Sequence, residues 1–171
     1  MGIRFAKRRD AASIIKIAKL CGFSDFPINI RAVRSGISNK QYIVYYKLCF
    51  FGEDCNLFQR VFGFAWGGLV DHLKNLYPHL NNLNKDYFYL KLVAVHPDSQ
   101  KKSIGSMLVK HALGMMRQLG YEGLYADTLN TNRPAVSILQ KNGFKQIQEF
   151  TDMQQKKRIL FCKEFSSGPL N

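Results

Sequence analysis

The feature that most constrains the fold is the junction of an apolar run and a helical pattern at residues 87–119. Tyr87 to Val95 is apolar and predicts a strand, and His96-Pro97-Asp98 ends it because proline cannot continue a central ladder. A basic loop follows, and a helix is then predicted over 103–119, ending at Gly120. The apolar residues that recur at helical spacing are Ile104, Leu108, Ala112, Met115 and Leu119. A strand, a tight loop and a helix N-terminus together suit a phosphate group.

The chain before this junction predicts a short strand, a helix and a region that is harder to assign. Ile3-Arg4-Phe5 could open a sheet. Asp10 is a plausible N-cap, and the apolar residues after it recur at i, i+3, i+4 and i+7, so we expect a helix from about 10 to 21. Residues 23–40 contain Pro27 and predict either a loop or a broken second helix.

Two strands of a hairpin are predicted next. Gln41 to Phe51 is rich in Tyr, Ile, Val and Phe, and Asn56 to Val70 is aromatic and β-branched, with Gly52-Glu53-Asp54 as the turn between them. The stretch Leu69 to Asp86 is long for a hairpin connection, because such loops typically have about 2–5 residues. It predicts either a lid beside a binding site or a surface insertion with a turn of helix.

After the helix at 103–119, the chain predicts a strand, a short helix and two more strands. Pro134 falls in the first turn of the short helix, where proline is tolerated, and Asn142-Gly143 ends that helix. The predicted strands are Gly123–Thr128, Phe144–Phe150 and Arg158–Phe165. The order β-α-(α)-β-β-β-α-β-α-β-β predicts one α/β domain with a mixed sheet over residues 1–165 and a loose tail at 166–171.

The unusual value in the composition is a formal net charge of +13 over 171 residues. Residues 1–50 hold ten Lys and Arg against two Asp and Glu, and residues 101–171 hold eleven against five. Such a charge favours anionic partners, namely a phosphate-bearing cofactor, an acidic acceptor or nucleic acid, although a lysine-rich solvated surface explains it equally well. Basic residues are not interleaved with aromatic residues on one element, which argues against a nucleic-acid-binding protein.

The cysteines and the apolar runs narrow the class further. The four cysteines, Cys21, Cys49, Cys55 and Cys162, show no paired spacing, so we expect neither a metal site nor a disulfide framework. No apolar stretch approaches the ~18 residues that span a bilayer. Because no apolar run of signal-peptide length follows the first ten residues, we expect a cytoplasmic protein. We expect it to be a monomer or a homodimer.

The residues after the central strand resemble the signature of a known family. Gln100-Lys-Lys-Ser103-Ile-Gly105-Ser106 is similar to the Q/R-x-x-G-x-G/A motif of the GNAT superfamily of acyl-CoA N-acyltransferases. Downstream, Asn132-x-x-Ala135 and Lys141-Asn142-Gly143-Phe144 resemble that family's N-x-x-A-x-x-L-Y-x-x-x-G-F helix, with the spacing from Asn132 intact. Two motifs in the correct order make the resemblance specific. It implies a mixed, mostly antiparallel central sheet flanked by helices, with acetyl-CoA as the co-substrate of an N-acetyltransferase.

The resemblance also implies which residues hold acetyl-CoA. Main-chain groups of Val93 and Val95 would bind the pantetheine arm like one more strand, and an amide there could polarise the thioester carbonyl. The amides of Gln100 to Ser106 would hold the pyrophosphate, and Asn132 would bind the pantetheine from its other side. The implied cofactor-binding residues are Val93, Ala94, Val95, Gln100, Lys101, Lys102, Ser103, Ile104, Gly105, Ser106 and Asn132.

Several of these side chains leave alternatives open. Lys101 and Lys102 either lie near the ribose phosphate or are solvated loop charges. Ser103 replaces the first glycine of the motif, so we expect it to keep a negative φ, because a Cβ disfavours the left-handed region. Leu139 stands where many members of the family carry the tyrosine that protonates the leaving thiolate. Either another group, such as Tyr125 or a water, donates that proton, or the thiolate leaves unassisted, since a thiol has a pKa of about 8.5.

A general base is also expected, because an ammonium must lose a proton before it attacks a thioester. Asp127 is the best candidate, since it lies five residues before Asn132, where some members of the resembled family place a catalytic glutamate. The alternative is a structural carboxylate that bonds the Thr128–Asn132 turn. We interpret His96 as structural. No cysteine lies in a nucleophile context, which favours direct transfer in a ternary complex.

Two functions remain after this reasoning. The first is an N-acetyltransferase that acts on a primary amine, such as a peptide N-terminus, an acidic small molecule or an aminoacyl group on RNA. The second is a non-catalytic acyl-CoA-binding regulatory module, in which Leu139 marks a lost activity. Acceptor specificity would come from residues 23–40 and 69–86. The basic or amide positions of the first stretch are Asn29, Arg31, Arg34 and Asn39.

Overall fold

The computed structural model describes residues 2–23, 29–51, 56–80 and 82–165. Short 3₁₀ turns at Arg8–Asp10 and Pro97–Ser99 accompany the regular elements. The helices of these residues are α1 (Ala11–Leu20), α2 (Ile30–Ser38), α3 (Val70–Leu76), α4 (Ile104–Gln118) and α5 (Arg133–Lys141). The strands are β1 (Gly2–Phe5), β2 (Tyr42–Phe51), β3 (Asn56–Leu69), β4 (Tyr87–Val95), β5 (Gly123–Leu129), β6 (Lys145–Thr151) and β7 (Lys157–Glu164).

The strands of the described residues form one sheet in the order β1-β2-β3-β4-β5-β7-β6. Neighbours are antiparallel in the pairs β1–β2, β2–β3, β5–β7 and β6–β7. β4 and β5 are parallel, and their register runs from Tyr87 opposite Gly123 to Leu90 opposite Ala126. This parallel pair follows from the connection through α4, because a crossover helix returns the chain to the same end of the sheet. The predicted mixed, mostly antiparallel sheet with flanking helices is therefore confirmed.

Contacts between residues divide the chain into two compact units. The first consists of Met1–Trp66 and Leu92–Leu108, and the second of Gly67–Lys91 and Val109–Asn171. The second half of β4, the loop after it and the start of α4 therefore belong to the first unit. The first half of β4, the whole of β5 and the C-terminal elements belong to the second.

The first unit is built on helices α1 and α2 packed against strands. Ile14 and Ile17 lie one turn apart on α1, and both are almost completely buried, as the helical spacing of apolar residues requires. The core residues that share this cluster include Ile14, Ile17, Val33, Ile37, Tyr42, Val44, Phe64 and Ala94. The end of β4 thus enters this core through Ala94, which fixes the strand that precedes the basic loop.

Gly63 lets the start of α4 approach the sheet closely within this unit. A Cβ on Gly63 would lie 3.0 Å from the main-chain oxygen of Ala94 and 3.3 Å from side-chain atoms of both Ile104 and Leu108. The first turns of α4 therefore occupy the space that a side chain on β3 would need. This packing holds the helix N-terminus close to the end of β4.

The second unit has its own core of aromatic and aliphatic side chains. Val70 and Leu73 of α3 are buried in it, and the rings of Tyr87 and Tyr125 stack at 5.0 Å between centroids. The cluster consists of Val70, Leu73, Leu80, Tyr87, Tyr89, Tyr125, Phe150, Leu160 and Cys162. Three tyrosines in one core bring hydroxyl groups into it, and each such group requires a hydrogen-bond partner there.

Two regions that the sequence leaves open are helical in part. α2 occupies Ile30–Ser38, and the Asn29 side chain accepts from the Arg31 N–H at 2.8 Å, so the interpretation as a second helix is confirmed. α3 begins directly after β3, so the stretch 69–86 contains a helix. The predicted turn at 52–54, the tail at 166–171 and residues 24–28 lie outside the described residues.

Asp10 is the N-cap residue of α1, as expected from the sequence, but its side chain does not cap the helix. Its carboxylate accepts instead from the Arg4 guanidinium at 2.7 Å and from the Lys7 N–H at 2.6 Å. A buried carboxylate is stabilised more by a cation and an amide together than by one helix N–H.

Across the described ranges, no helix is both long enough and apolar enough to cross a membrane.

We predict that Gly63→Ala lowers the free energy of unfolding by about 1–3 kcal/mol, because the added methyl group crowds β4 and α4. Gly114→Ala in α4 is the matched control, since nothing lies within 4 Å of its Cβ position and alanine favours a helix by about 0.5–1 kcal/mol. Urea unfolding measures both. Equal stability of the two variants would contradict the close packing at Gly63.

Candidate active site

The loop between β4 and α4 is held by its own hydrogen bonds. The Gln100 N–H donates to the Pro97 carbonyl at 3.1 Å, and Gln100 Nε2 donates to the Val95 carbonyl at 3.2 Å. Lys102 Nζ donates to the Asp98 carbonyl at 2.9 Å. The side chains of Gln100 and Lys102, two of the predicted cofactor residues, therefore form hydrogen bonds that stabilise the loop. Their main-chain groups remain the part of the loop that was predicted to bind phosphate.

Two residues of this loop have the left-handed conformation. Lys101 has a φ of 59° and Ser103 a φ of 58°. The expectation that Ser103 keeps a negative φ is therefore wrong. The glycine of the motif favours this conformation at no steric cost, whereas the serine Cβ meets the neighbouring carbonyl oxygen and costs about 1–2 kcal/mol. The loop retains the backbone path that the glycine motif predicts, at the expense of local strain.

The N-terminus of α4 follows this loop directly. The Ser103 carbonyl accepts from the Met107 N–H at 3.0 Å, so the helical hydrogen bonds start there. The first N–H groups of a helix have no partner within the helix, and they carry the positive end of its dipole. Ile104 and Leu108 are buried at 3% and 0% exposure and anchor the helix at this end. The exposed loop and the helix end together form a site that fits a phosphate group.

The main chain at the end of β4 has two different sides. The His96 N–H donates to the Phe62 carbonyl of β3 at 2.8 Å. Main-chain groups alternate in direction along a strand, so those of Val93 and Val95 point away from β3. The Val95 carbonyl already accepts from Gln100 and from Cys21 Sγ at 3.3 Å. An extended ligand on this side would therefore meet Val93 first, together with the N–H of Val95.

Cys21 is a free thiol at the end of α1. Burial raises its pKa, and the hydrogen bond to the Val95 carbonyl lowers it by a smaller amount. A thiol with a raised pKa is protonated near neutral pH and is a poor nucleophile. The geometry therefore gives no support to a covalent acyl intermediate on Cys21.

The second unit contains a buried carboxylate with three donors. The side chain of Asp127, on β5, is 1% exposed. Arg158 Nε donates to its Oδ2 at 2.5 Å, the Tyr77 hydroxyl donates to Oδ2 at 3.5 Å, and the Tyr89 hydroxyl donates to Oδ1 through a short hydrogen bond. These partners come from β7, from the residue after α3 and from β4. The contacts differ from the alternative interpretation of Asp127 as a residue that bonds the Thr128–Asn132 turn.

Both phenols of this cluster hold their protons firmly. Burial raises the pKa of Tyr77 to about 12, and the negative charge of Asp127 adds to the effect. Burial also raises the pKa of Tyr89 well above its ordinary value, and again Asp127 contributes. Ionised phenols beside this carboxylate would repel it, so both hydroxyls act as donors to Asp127 at physiological pH.

Arg158 links this cluster to the turn between β6 and β7. Its Nη1 donates to Asp152 Oδ2 at 3.4 Å, and its guanidinium carbon lies 5.9 Å from the centre of the Tyr77 ring. Asp152 also accepts from the N–H groups of Gln154 and Lys156, each at 2.9 Å. Although burial opposes it, these amides and Arg158 lower the pKa of Asp152. The turn is thus fixed to the buried carboxylate through one guanidinium.

The remaining predicted residues of the second unit have separate partners. The Tyr125 hydroxyl accepts from the Asn84 N–H at 3.2 Å, and burial raises its pKa. Asn132 is the N-cap of α5, because its Oδ1 accepts from the Ala135 N–H at 3.3 Å. Leu139 is 6% exposed on the same helix. The cap engages the oxygen of the Asn132 amide, so its Nδ2 is the group left to donate to a ligand.

Comparison with known proteins identifies the family. The model of the acetyltransferase (GNAT) family matches residues 25–144, which include the loop after β4 and both motifs. The chain belongs to the acetyltransferase (GNAT) family. The family resemblance predicted from the two motifs is therefore confirmed.

Individual relatives of this GNAT protein are distant. An uncharacterized N-acetyltransferase of Schizosaccharomyces pombe is 34% identical over 61 residues, which are 36% of this chain and only 37% of that curated relative. The ribosomal-protein-alanine N-acetyltransferase of Brucella melitensis is 14% identical, with a TM-score of 0.72 over 96% of this chain and 100% of that one. The protein yncA of Salmonella typhimurium, solved with its cofactor acetyl-CoA, is 17% identical, with a TM-score of 0.72 over 100% and 97% of the two chains.

The sequence does not reveal three members of the buried cluster in this GNAT protein. Tyr77, Tyr89 and Arg158 contact Asp127 from 50, 38 and 31 residues away. Leu129 and Arg158 are opposite each other in the β5–β7 register, and Asp127 is opposite Leu160. The signal available for Arg158 is a charged residue directly before the apolar run Ile159–Cys162. Without the register, it does not indicate which carboxylate the arginine meets.

We predict that Ser103 variants rank in stability by their tolerance of a positive φ. Ser103→Val should lower the free energy of unfolding by about 1–3 kcal/mol, because a β-branched residue is an outlier in this conformation. Ser103→Gly should be at least as stable as the wild type, since it removes the Cβ. Thermal unfolding at fixed pH measures the series. A valine variant as stable as the serine protein would rule out the left-handed conformation.

Proposed function

We propose that this GNAT protein transfers the acetyl group of acetyl-CoA to a primary amine in a direct ternary complex. The observation that carries the proposal is the loop between β4 and α4. It has the backbone path of a glycine motif, with positive φ at Lys101 and Ser103, and it leads into a helix N-terminus. A solved structural neighbour contains acetyl-CoA, which supports the same cofactor here. A cytoplasmic location is part of this proposal.

The residues that would hold acetyl-CoA follow from these groups. Of the predicted amides from Gln100 to Ser106, that of Gln100 already donates to the Pro97 carbonyl. The amides after it would bind the pyrophosphate at the helix N-terminus, where the dipole favours an anion. Lys101 and Lys102 add two exposed positive charges to this loop. The main chain of Val93 and the N–H of Val95 would bind the pantetheine arm, because their groups point away from β3. Asn132 would donate from Nδ2.

Acetyl-CoA supplies an activated acyl group, and the protein supplies position and proton transfer. Holding an amine against a thioester makes the attack effectively unimolecular, which is the largest contribution available without a covalent step. A main-chain N–H at the end of β4 would stabilise the negative charge that develops on the carbonyl oxygen. Leu139 donates no proton, and the raised pKa of Tyr125 makes that phenol a weak acid. The CoA thiolate therefore leaves unassisted, or it takes its proton from water or from the Tyr125 hydroxyl.

Asp127 is the residue proposed to take the proton of the amine. Its side chain is only 1% exposed and its two oxygens receive three donors, so an amine gains access when one of these donors moves aside. The Tyr77 contact of 3.5 Å is the longest of the contacts to Oδ2, and Tyr77 is only half-buried. We infer that Tyr77 is the donor that gives way to the amine. Arg158 and Tyr89 hold the carboxylate in position meanwhile.

We predict that the protein binds acetyl-CoA and that a panel of primary amines accelerates thiol release from it. Replacing both loop lysines with glutamine, as Lys101→Gln and Lys102→Gln, should raise the Kd for acetyl-CoA by roughly threefold to tenfold, because exposed charge pairs are each worth up to about 1 kcal/mol. Lys110→Gln combined with Lys145→Gln, at exposed lysines of α4 and β6, is the charge-matched control and should leave the Kd unchanged. Calorimetry and a thiol-reactive dye measure binding and release.

Each outcome of this assay bears on a different function. Binding without acceleration by any amine would favour the non-catalytic acyl-CoA-binding module and overturn the transferase. Absence of acetyl-CoA binding would overturn both functions.

We predict that Asp127→Asn lowers kcat by roughly 10²-fold near neutral pH, because general-base catalysis contributes about that factor. The loss should shrink as pH rises toward the pKa of the acceptor amine, since a neutral amine needs no base. Glu149→Gln is the control, because it neutralises an exposed carboxylate on β6 outside the Asp127 cluster and should retain the wild-type pH profile. A pH profile for Asp127→Asn that matches the wild type would remove Asp127 from the mechanism.

A further inference from the structure

A groove in the second unit lies between the end of β5 and the β6–β7 turn. Its volume is about 510 Å³, and it is lined by Leu129, Asn130, Thr131, Lys156 and Lys157. The cofactor residues predicted from the sequence do not include any of these five. Most of the surface that lines the groove is apolar, and the side chains of its residues also carry an amide, a hydroxyl and two ammonium groups that can donate to an anion.

The two walls of this groove are fixed to each other by the main chain. The Asn130 N–H donates to the Lys157 carbonyl at 3.1 Å, and the Asp152 N–H donates to the Lys156 carbonyl at 3.0 Å. Asp152 accepts from the N–H of Lys156, and Arg158 holds Asp152 from the other direction. The main chain that carries the lysines is therefore built into the sheet and its turn.

The groove carries two positive charges, on Lys156 and Lys157. Lys156 Nζ donates to Gln154 Oε1 at 2.9 Å, which is a neutral partner. Among the residues that the structure describes, neither Lys156 nor Lys157 pairs with a carboxylate. The two nearby carboxylates, Asp127 and Asp152, are both engaged by Arg158. Two ammonium groups without counter-charges favour an anionic occupant.

The groove also lies at a defined spacing from the buried carboxylate. Leu129 and Asp127 are two residues apart on β5, so they share a face of the sheet and lie about 7 Å from each other. Arg158 lies opposite Leu129 and shares that face, so the side chain of its neighbour Lys157 leaves β7 on the other face and lines the groove around the end of the strands. An acceptor with its amine at Asp127 would place a group a few ångströms farther along, at the Leu129 side of the groove. The side chain of an acidic first residue of a peptide has this reach from its own α-amine.

We infer that the groove selects acceptors that carry an anionic group, a carboxylate or a phosphate, close to the reacting amine. Lys156 and Lys157 bind the anion, Asn130 and Thr131 donate to it, and Leu129 contacts its aliphatic stem. The inference rests on the proposed function, since it names the acceptor class of the same transfer. A neutral acceptor of equal size would leave both ammonium groups unpaired.

Direct binding to the full chain saturated with CoA tests the inference. Three peptides that differ only in the first residue, Glu-Gly-Gly-amide, Gln-Gly-Gly-amide and phosphoseryl-Gly-Gly-amide, are titrated while the backbone amide signals of Asn130, Thr131 and Lys157 are followed by NMR. We expect the two anionic peptides to bind about fivefold or more tightly than the Gln peptide at low salt, with the preference shrinking as salt rises.

Substitutions separate the groove from the general positive charge of the protein. Lys156→Gln combined with Lys157→Gln should abolish the preference for anionic peptides. Lys110→Gln combined with Lys145→Gln is the matched control, because it removes two charges from exposed lysines that lie outside the groove. It should keep the preference. A circular dichroism melt of each variant confirms that the hairpin is folded.

Each result decides the inference independently of the proposed function. Equal binding of the three peptides, absence of binding, or a preference that survives the double substitution would overturn the anion site. Binding of one anionic peptide alone would support the site and identify its anion as carboxylate or phosphate. If the protein does not bind CoA, the proposed function fails, and the same titration on the free chain still tests the groove.

Discussion

A carboxylate that is almost completely buried has to be compensated by donors and by opposite charge. Asp127 meets this requirement with Arg158 and two phenols, and removing one partner of such a buried pair typically costs about 3–5 kcal/mol. These partners come from three separate parts of the chain. The ion pair joins β5 to β7, and the two phenols join the first half of β4 and the residue after α3 to the same carboxylate. Through Asp152, Arg158 also orders the turn that carries Lys156 and Lys157.

The loop before α4 differs from the Asp127 cluster, because it keeps an unfavourable backbone conformation at Ser103. A buried Ile104 and the close approach at Gly63 fix the helix, while the end of β4 is fixed by Ala94. The short loop between them then has little conformational choice, and Ser103 is held at positive φ although its side chain disfavours it. Strain of this kind persists where the surroundings determine the backbone, and such sites are commonly functional. The strain is therefore consistent with a loop built to bind a phosphate.

Much of this architecture can be predicted from the sequence, because its signals are local. The apolar run of β4, the helical spacing of α4 and the proline of α5 each act over fewer than about 20 residues. The conformation of Ser103 could not be predicted, since it depends on packing at Gly63 that is 40 positions earlier in the chain. The partners of Asp127 depend in the same way on strand register. The predicted and observed sites therefore differ in features that depend on long-range pairing, and they agree in features that depend on helix or strand propensity.

The high positive charge has a more specific interpretation once the contacts are known. A net charge of +13 by itself is compatible with any anionic partner or with none. Lys102 is tied to the loop of the first unit, whereas Lys156 and Lys157 line a groove without a carboxylate partner in the described part of the chain. A lysine beside a neutral partner retains its full charge for a ligand. For this reason the charge that matters for acceptor choice is the local pair at the groove, and the total charge of the protein contributes mainly to the rate of encounter.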